Sequence, residues 1–341
     1  MITRIELENF TAFPKLRLNP SSGINVFIGA NGTGKTHLLK VAYAACAVAK
    51  TKESYADKLL RVFLPHQRQL GRLAHRQVGS IWASAGVVRR DGAELRVRFS
   101  NHAETAASAS VQGARRWSAV PIECAYIPVK EMLANAPGFR SLYAEREIHF
   151  EEVYADIVDR AYRPLPKGPP SDERRRFMER IRKAIEGRVT MKKEEFFLRS
   201  KQGNLELTLV AEGVRKLALL SLLLQNGTLL SGSVLFWDEP EANLNPNLMR
   251  VVVEVLLELQ RMGVQVFIAT HDYVTLKEFD LQTAPDDHVA YHALWRGEED
   301  GTVRLSTTED YVAIQPNAIA DTFMDLYDRD VRRALSGGGT G

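Results

Sequence analysis

The chain has 341 residues, of which 45% are apolar and 26% are charged, and its formal net charge is +3. This composition predicts a globular protein with enough apolar residues for a core, and it excludes a disordered or fibrous chain. The mild basicity permits a nucleic-acid partner but does not argue for one. Cys46 and Cys124 both lie in apolar surroundings, which predicts buried thiols rather than disulfides or a metal site.

The sequence predicts no contact with a membrane. The opening residues, MITRIELENF, lack the apolar core of a signal peptide. The longest apolar run, LALLSLLL at residues 217–224, is far shorter than the roughly 20 residues that a membrane-spanning helix needs. We therefore expect a cytoplasmic protein.

The first motif in the chain is GANGTGKT, at residues 29–36, between a short apolar strand and a predicted long amphipathic helix. It fits the phosphate-binding pattern G-x-x-x-x-G-K-S/T (Walker A), whose glycines let successive backbone N–H groups point at phosphate oxygens. The helix that follows directs the positive end of its dipole at the same anion. We expect Lys35 to bind the β- and γ-phosphates and Thr36 to bind Mg²⁺. The other predicted nucleotide-binding positions here are Asn31, Gly32, Thr33, Gly34 and His37.

Two inserts are predicted further along the chain. The first, at 51–119, should contain a helix at about 52–63, two β-like segments around a turn at Asp91 and Gly92, and then a loose loop. The second, at 140–199, is predicted to be a helical hairpin, because apolar stripes at helical spacing flank the loop RPLPKGPP.

The two helices of this hairpin carry opposite charges. The second is basic, with Arg175 and Arg182 among its residues, and it could follow a phosphate backbone. Alternatively it could pair with the acidic first helix, which carries Glu151, Glu152 and Asp156. The second alternative is favoured because the two helices should be neighbours.

Two further motifs follow buried strands in the second half of the chain. The segment SVLFWDEPEANLNP ends an apolar strand with Asp238 and Glu239. Asp238 would hold the shell of Mg²⁺ (the Walker B role), and Glu239 would orient or deprotonate an attacking water. The segment VQVFIATHD ends in His271, which could contact and sense a γ-phosphate. Together with Lys35, these three residues form the predicted catalytic set.

The order of these motifs resembles that of ABC-type ATPases. The opening MITRIELENFTAFPKLRLNPSSGINVFIGANGTGKT is similar to the start of SMC and RecF proteins and of OLD-like ATPases, and ABC transporter subunits usually open differently. The resemblance covers about 1–50 and 205–280, with a weaker likeness in 120–135. It implies an α/β fold, a P-loop NTPase of the ABC-ATPase head type, with an N-terminal antiparallel β element, a helical insert, and ATP and Mg²⁺ as cofactors.

The domain boundaries follow from this resemblance. The ATPase domain would be discontinuous, and 285–312 and 316–335 would supply its last two strands and a final helix. The predicted parts are 1–50, 120–135 and 200–335 for the ATPase domain, 51–119 and 140–199 for the inserts, and 336–341 for a flexible tail.

The resemblance also implies a signature motif and a D-loop. The signature is LVAEGVRKLALLSLLL, in which Gly213 would start a helix and face the nucleotide of a second copy. Glu212 stands near the position where the family usually has Ser, and a carboxylate there would repel a γ-phosphate unless Arg215 and Lys216 offset it. The D-loop would be residues 241–246.

The glutamine usual in the Q-loop is missing from this sequence. Its position is taken by residues 128–132, Pro-Val-Lys-Glu-Met. Lys130 or Glu131 could approach the metal or the phosphate there. The other interpretation, a surface turn after a strand, is equally open.

Three functions are compatible with these motifs. The first is a homodimeric or higher-order ATPase, with slow turnover, that gates a separate effector such as a nuclease or toxin, as in anti-phage systems resembling Septu. The stretch after the last motif strand is too short for the Toprim nuclease domain of OLD proteins, so we expect the effector to be another chain. The second is a RecF-like repair ATPase that acts directly on DNA. The third is an ABC transporter subunit. It is disfavoured by the missing Q-loop glutamine, by the RecF-like N-terminal sequence and by the atypical signature motif.

Overall fold

The computed structural model describes residues 1–51, 53–146 and 148–337, and its fold is mixed α/β. Its strands are β1 (Ile2–Phe10), β2 (Phe13–Leu18), β3 (Ile24–Ile28), β4 (Trp82–Arg89), β5 (Glu94–Ser100), β6 (Ser110–Gln112), β7 (Cys124–Ile127), β8 (Arg188–Lys192), β9 (Glu195–Ser200), β10 (Gly203–Glu206), β11 (Val234–Asp238), β12 (Gln265–Ala269), β13 (Val289–Arg296) and β14 (Val303–Thr308). Its helices are α1 (Lys35–Val48), α2 (Tyr55–Phe63), α3 (Ala114–Ser118), α4 (Phe139–Glu145), α5 (Glu152–Ala161), α6 (Asp172–Ala184), α7 (Glu212–Gln225), α8 (Pro246–Arg261), α9 (Tyr273–Gln282) and α10 (Ala318–Gly337). None of the helices within the described ranges is long and apolar enough to cross a bilayer.

The central sheet has the order β14-β13-β3-β12-β11-β7, and only β14 runs antiparallel to its neighbour. All residues of β3, β11 and β12 are buried, as expected for parallel strands covered on both faces. Alternate side chains enter two cores: Phe27 packs with α1 and the N-terminal sheet, and Val26 packs with α7 and α8. The carboxyl ends of these strands therefore meet at one edge, between the two layers.

The N-terminal sheet is antiparallel, with the order β2-β1-β4-β5-β6. The two β-like segments of the predicted insert at 51–119 are β4 and β5, and β4 pairs directly with β1, with Ile5 opposite Val87. They therefore complete the N-terminal sheet rather than forming a separate unit. The expected loose loop after β5 is wrong at residues 110–112, which form β6 against β5.

The predicted helical hairpin at 140–199 is wrong in its last part. Helices α5 and α6 are present, but β8 and β9 follow them and pair with β10 in a three-stranded sheet. The turn between β8 and β9 uses Lys193 and Glu194, with φ of 49° and 67°. Such turns usually carry Asn or Gly, so the sequence held no turn signal here. The predicted tail overlaps the end of α10, and its residues 338–341 lie outside the described ranges.

Among the described residues, no ion pair joins the two charged helices α5 and α6, so the favoured prediction that they pair is wrong. Lys58 of α2 lies 2.8 Å from Glu152 and 2.7 Å from Asp156, both on α5. Arg180 of α6 lies 3.0 and 3.1 Å from two glutamates of α8. The charged residues of α5 therefore contact α2 and those of α6 contact α8, while Arg175 and Arg182 are exposed.

We predict that Lys58→Met lowers the free energy of unfolding by about 3–5 kcal/mol, because it leaves two carboxylates without their buried cation. Burial alone would lower the pKa of Lys58, but Asp156 and Glu152 raise it, so the ion pair is present at neutral pH. Urea unfolding measures the change. Lys50→Met is the matched control: Lys50 pairs with Glu123 but is 43% exposed, and about 1 kcal/mol or less is expected. Equal losses in the two variants would contradict the assignment.

Candidate nucleotide-binding site

The glycine loop lies between two other segments of the fold. Gly29 and Gly34 have φ of 140° and 93°, which side chains rarely adopt. A Cβ at Gly29 would lie 2.1 Å from the carbonyl oxygen of Leu294, and one at Gly34 would lie 2.5 Å from the Phe13 ring. The loop is therefore held between β13 and the turn that joins β1 to β2. Gly29 and Gly34 are needed both because their backbone has positive φ and because a side chain at either position would clash with these neighbours.

Lys35, at the start of α1, folds back over the loop. Its ammonium donates to the carbonyl oxygens of Gly29, at 2.6 Å, and Ala30, at 3.1 Å. Burial lowers the pKa of Lys35, although the carboxylates of Glu239 and Asp238 act in the opposite direction. A mostly buried cation beside a glycine loop and a helix N-terminus is suited to bind an anion, and phosphate binding here stays a prediction.

The other predicted residues of the loop differ in exposure. Asn31 and Gly32 are exposed at its tip, and Thr33 is buried, with its hydroxyl donating to Ala30 O at 2.9 Å. The ring of His37 packs against Phe63, with 5.5 Å between ring centroids, and burial lowers the pKa of His37 to about 4. If His37 contacts the nucleotide as predicted, it would do so through its backbone N–H rather than its ring. This N–H lies in the first turn of α1, where backbone N–H groups have no hydrogen-bond acceptor within the helix.

Asp238, at the end of β11, meets Thr36 and Tyr126. The Thr36 hydroxyl donates to Asp238 Oδ1 at 3.1 Å, and the Tyr126 hydroxyl donates to Oδ2 at 3.0 Å. Burial raises the pKa of Asp238, and the hydrogen bonds from Tyr126 and Thr36 oppose that rise. A hydroxyl and a carboxylate side by side fit the oxygen ligands that Mg²⁺ prefers.

Tyr126 is a site residue that the motifs did not reveal. It lies in β7, which neighbours β11 in the sheet, with Tyr126 opposite Phe236. The only signal in the sequence was its position near the end of a short apolar strand. Its buried hydroxyl fixes the orientation of the predicted metal-binding carboxylate.

Glu239 and His271 lie together, as the sequence predicted. Glu239 follows β11 with a φ of 48°, and its Oε1 is 3.5 Å from His271 Nδ1. The side chains are 30% and 49% exposed, so water reaches both. The carboxylate is thus placed to orient a water beside the histidine.

Glu241 is a second carboxylate at this histidine. Its Oε1 accepts from the Thr270 hydroxyl at 2.8 Å and from the His271 backbone N–H at 3.0 Å. Its Oε2 is buried and has no hydrogen-bond partner among the described residues, and burial raises the pKa of the group. The first residue of the predicted D-loop therefore holds the segment that carries His271.

Helix α7, the predicted signature helix, is fixed to the predicted D-loop of its own chain. A Cβ at Gly213 would lie 2.7 Å from Leu244 Cδ1 and 3.1 Å from Asn243 O, so a side chain here would crowd this contact. The buried ammonium of Lys216 donates to Ala242 O at 2.6 Å and to Glu239 O at 3.3 Å. The N-terminus of α7 and the segment after Asp238 therefore form one unit.

Glu131 contacts this helix rather than the predicted metal site. Its buried Oε2 is 2.7 Å from Arg215 Nε, and its Oε1 accepts from the Leu133 N–H. Burial raises the pKa of Glu131, and Arg215 opposes that rise. The expectation that Glu131 approaches metal or phosphate is therefore wrong, and Arg215 is engaged here instead of offsetting Glu212. Lys130 is exposed.

Comparison with known proteins agrees with this geometry. Residues 24–277, more than half of the chain, match the family described as "AAA domain, putative AbiEii toxin, Type IV TA system". Among curated proteins, the chain is 51% identical over 45 residues to the DNA replication and repair protein RecF of Cytophaga hutchinsonii, which is 13% of this chain and 12% of that protein. It is 46% identical over 57 residues to RecF of Clostridium botulinum strain Eklund 17B, 17% of this chain and 16% of that one. The chain thus aligns with only a small part of the length of these relatives.

Solved structures of SMC heads share the fold. An SMC head bound to the C-winged helix domain of ScpA superposes with a TM-score of 0.56 at 14% identity, over 90% of this chain and 97% of that one. The Pyrococcus furiosus SMC head with an extended coiled coil, bound to the C-terminal domain of ScpA, gives 0.55 at 12%, over 97% and 99%. These likenesses show the fold that the sequence resemblance implied, and the chain belongs to the AAA-domain family that it matches.

Proposed function

We propose that two copies of this chain close around two ATP molecules and hydrolyse them with Mg²⁺, and that closure gates a separate effector in an anti-phage defence module. One observation carries the ATPase part of the proposal. Lys35, Thr36, Asp238, Glu239 and His271 lie together at the carboxyl edge of three parallel strands.

Each of these side chains has a distinct role in the proposal. Bound Mg²⁺ would neutralise the charge that develops on the phosphates. Thr36 and Asp238 would hold that ion, and Lys35 would turn from its loop carbonyls to the anion. Glu239 orients the attacking water and accepts its proton. His271, 3.5 Å from Glu239, is placed to contact the γ-phosphate.

The signature helix supports closure by two copies. Ala211 precedes α7 and supplies no side-chain cap, so the first N–H groups of α7 remain available to an anion. Gly213 and Lys216 fix this helix to the D-loop of the same chain. The anion that we propose for these N–H groups is the γ-phosphate bound by a second copy, and the charge of Glu212 would weaken that contact.

The family description supports a defence role, because it names a toxin and a type IV toxin–antitoxin system. The second candidate function is direct action on DNA. The RecF relatives are DNA replication and repair proteins by name, and Arg175 and Arg182 are exposed on α6.

We predict that Tyr126→Phe raises the Mg²⁺ concentration for half-maximal ATPase activity by about tenfold. Removing this hydrogen bond raises the pKa of Asp238 further, so protons compete better for the carboxylate. The acid limb of the activity profile should therefore shift to higher pH. Steady-state rates over a Mg²⁺ and pH grid measure both effects.

Tyr55→Phe is the matched control. Tyr55 is equally buried, and its hydroxyl donates to the Val41 carbonyl, so the variant loses a buried hydrogen bond away from the site. If both variants show the same Mg²⁺ dependence, the role assigned to Tyr126 is wrong.

The proposed function is tested on tagged protein isolated from its host with ATP and Mg²⁺. The Glu239→Gln variant should hold nucleotide without turnover, form a closed dimer and retain an effector protein. Lys35→Ala, which lacks the ammonium proposed to bind phosphate, should show none of these three properties. Native mass spectrometry gives the mass and composition of each assembly.

The outcomes separate the parts of the proposal. A Glu239→Gln protein that stays monomeric with saturating ATP would contradict closure. A dimer that carries nucleic acid and no protein partner would contradict the effector and favour action on DNA. A retained nuclease or toxin whose activity differs between the two variants would support gating.

For the second candidate, DNA should stimulate the ATPase rate, and Arg175→Glu with Arg182→Glu should remove most of that stimulation. Two charge reversals on exposed arginines weaken binding to a phosphate backbone and reduce its salt dependence. Arg90→Glu, an exposed arginine at the turn between β4 and β5, is the control. Stimulation that is absent, or equal in all variants, would exclude α6 as a DNA-binding surface.

A further inference from the structure

The tip of the glycine loop is held by an arginine that belongs to none of the motifs. Arg296 ends β13, which pairs with β3, and its Nη2 donates to the carbonyl oxygen of Gly32 at 2.8 Å. Its Nη1 donates to the carbonyl oxygen of Gly301, in the turn between β13 and β14, at 3.1 Å. The guanidinium therefore joins the loop tip to the neighbouring hairpin.

Arg296 approaches the loop from the side away from the predicted metal site. Strands β13 and β12 flank β3 on opposite sides, and β11, which ends in Asp238, lies beyond β12. Within the described part of the chain, no carboxylate pairs with the Arg296 guanidinium, which is always charged. Its full charge therefore acts on the two backbone carbonyls that it contacts.

The contact with Gly32 fixes the direction of one peptide group. Because a trans peptide is planar, its C=O and N–H point in opposite directions. With the Gly32 oxygen held by Arg296, the N–H of Thr33 points away from Arg296. Thr33 is 1% exposed, and its N–H has no hydrogen-bond acceptor within the described ranges. A buried donor of this kind requires an acceptor, and the phosphate predicted for this loop would supply one.

The loop tip needs such a restraint because it contains glycine. Gly32 has a φ of 76°, and a glycine restrains the peptide group that follows it less than other residues do. Lys35 also holds loop carbonyls, those of Gly29 and Ala30, but it releases them if it turns to the anion as proposed. Arg296 can keep its contact in that state, because it lies on the other side of the loop.

We propose that Arg296 is a positioning residue for nucleotide binding, which holds the Gly32 carbonyl so that the Thr33 N–H is directed at the phosphates. The cation also polarises the peptide group, which makes this N–H a stronger donor. Arg296 acts through the backbone and does not itself touch the nucleotide. The inference rests on the proposed function, because it requires a nucleotide in the loop.

The first test is calorimetric titration of the full chain with ADP and Mg²⁺, which avoids turnover. Arg296→Ala should weaken ADP binding by about tenfold, the size expected for a hydrogen bond to a charged group. Loop N–H groups bind the α- and β-phosphates, which ADP and ATP share, so KM for ATP should rise by a similar factor with kcat little changed. Arg296→Lys retains a charged donor and should recover most of the affinity.

Arg304→Ala is the matched control. Arg304 is an exposed arginine of the same hairpin, and it pairs with Asp300 at 3.4 Å instead of contacting the glycine loop. The variant removes the same charge and should leave ADP binding unchanged. Equal losses in Arg296→Ala and Arg304→Ala would show a general effect of charge and overturn the proposal. So would a loss in Arg296→Ala that disappears at high salt, which screens exposed charges.

A second test observes the peptide group without nucleotide. In ¹⁵N-labelled protein, the Thr33 amide should give one resonance in the wild type and in Arg304→Ala. In Arg296→Ala it should broaden or divide into two, because the peptide group then exchanges between two orientations. Thermal unfolding checks that all variants are folded.

The outcomes distinguish this inference from the proposed function. A wild type that binds neither ADP nor ATP would overturn both. A wild type that binds them, with an Arg296→Ala variant that binds equally well, would overturn only the role of Arg296.

Discussion

The parallel pairing of β3 with β12, and of β12 with β11, is the constraint on which the site depends. Val26 lies opposite Ile268, and Phe267 lies opposite Phe236. Because these strands are buried on both faces, their register is fixed by packing on two sides, and a slip by one residue would exchange the two cores. The register places the ends of three strands at one edge. It is why the Thr36 hydroxyl reaches a carboxylate 202 positions later in the chain.

The signature helix is joined to this edge by two adjacent cations that point in different directions. Lys216 binds backbone carbonyls in the D-loop, and Arg215 binds the buried Glu131 in the segment after β7. Removing one partner of a buried ionic contact is costly, because the other charge is left desolvated. The start of α7 therefore cannot move independently of the D-loop or of residues 128–133. A shift of the D-loop on nucleotide binding would carry the signature helix with it as a rigid unit.

Which residues meet at the site could be predicted from the sequence, because the signals for them are local. Two patterns can be recognised without tertiary information. One is a glycine loop between a strand and a helix, and the other is an acidic residue or a histidine directly after an apolar strand. Tyr126 could not be recognised from the sequence, because its contact with Asp238 depends on β7 lying beside β11, which is a pairing between distant segments. Glu131 was misassigned and Lys58 was missed for the same reason, because the sequence does not show which residue a charged side chain will contact. The strand pair β8–β9 was missed because Lys193 and Glu194 occupy a turn that usually has glycine or asparagine.

The segment that carries His271 is connected to the C-terminal helix. Helix α9 begins directly after this segment, with Asp272 as its N-cap, and its Tyr273 supports α10 through the stacked ring of Phe323. If His271 contacts a γ-phosphate as proposed, a displacement of this residue would therefore reach the base of α10 through a single helix start.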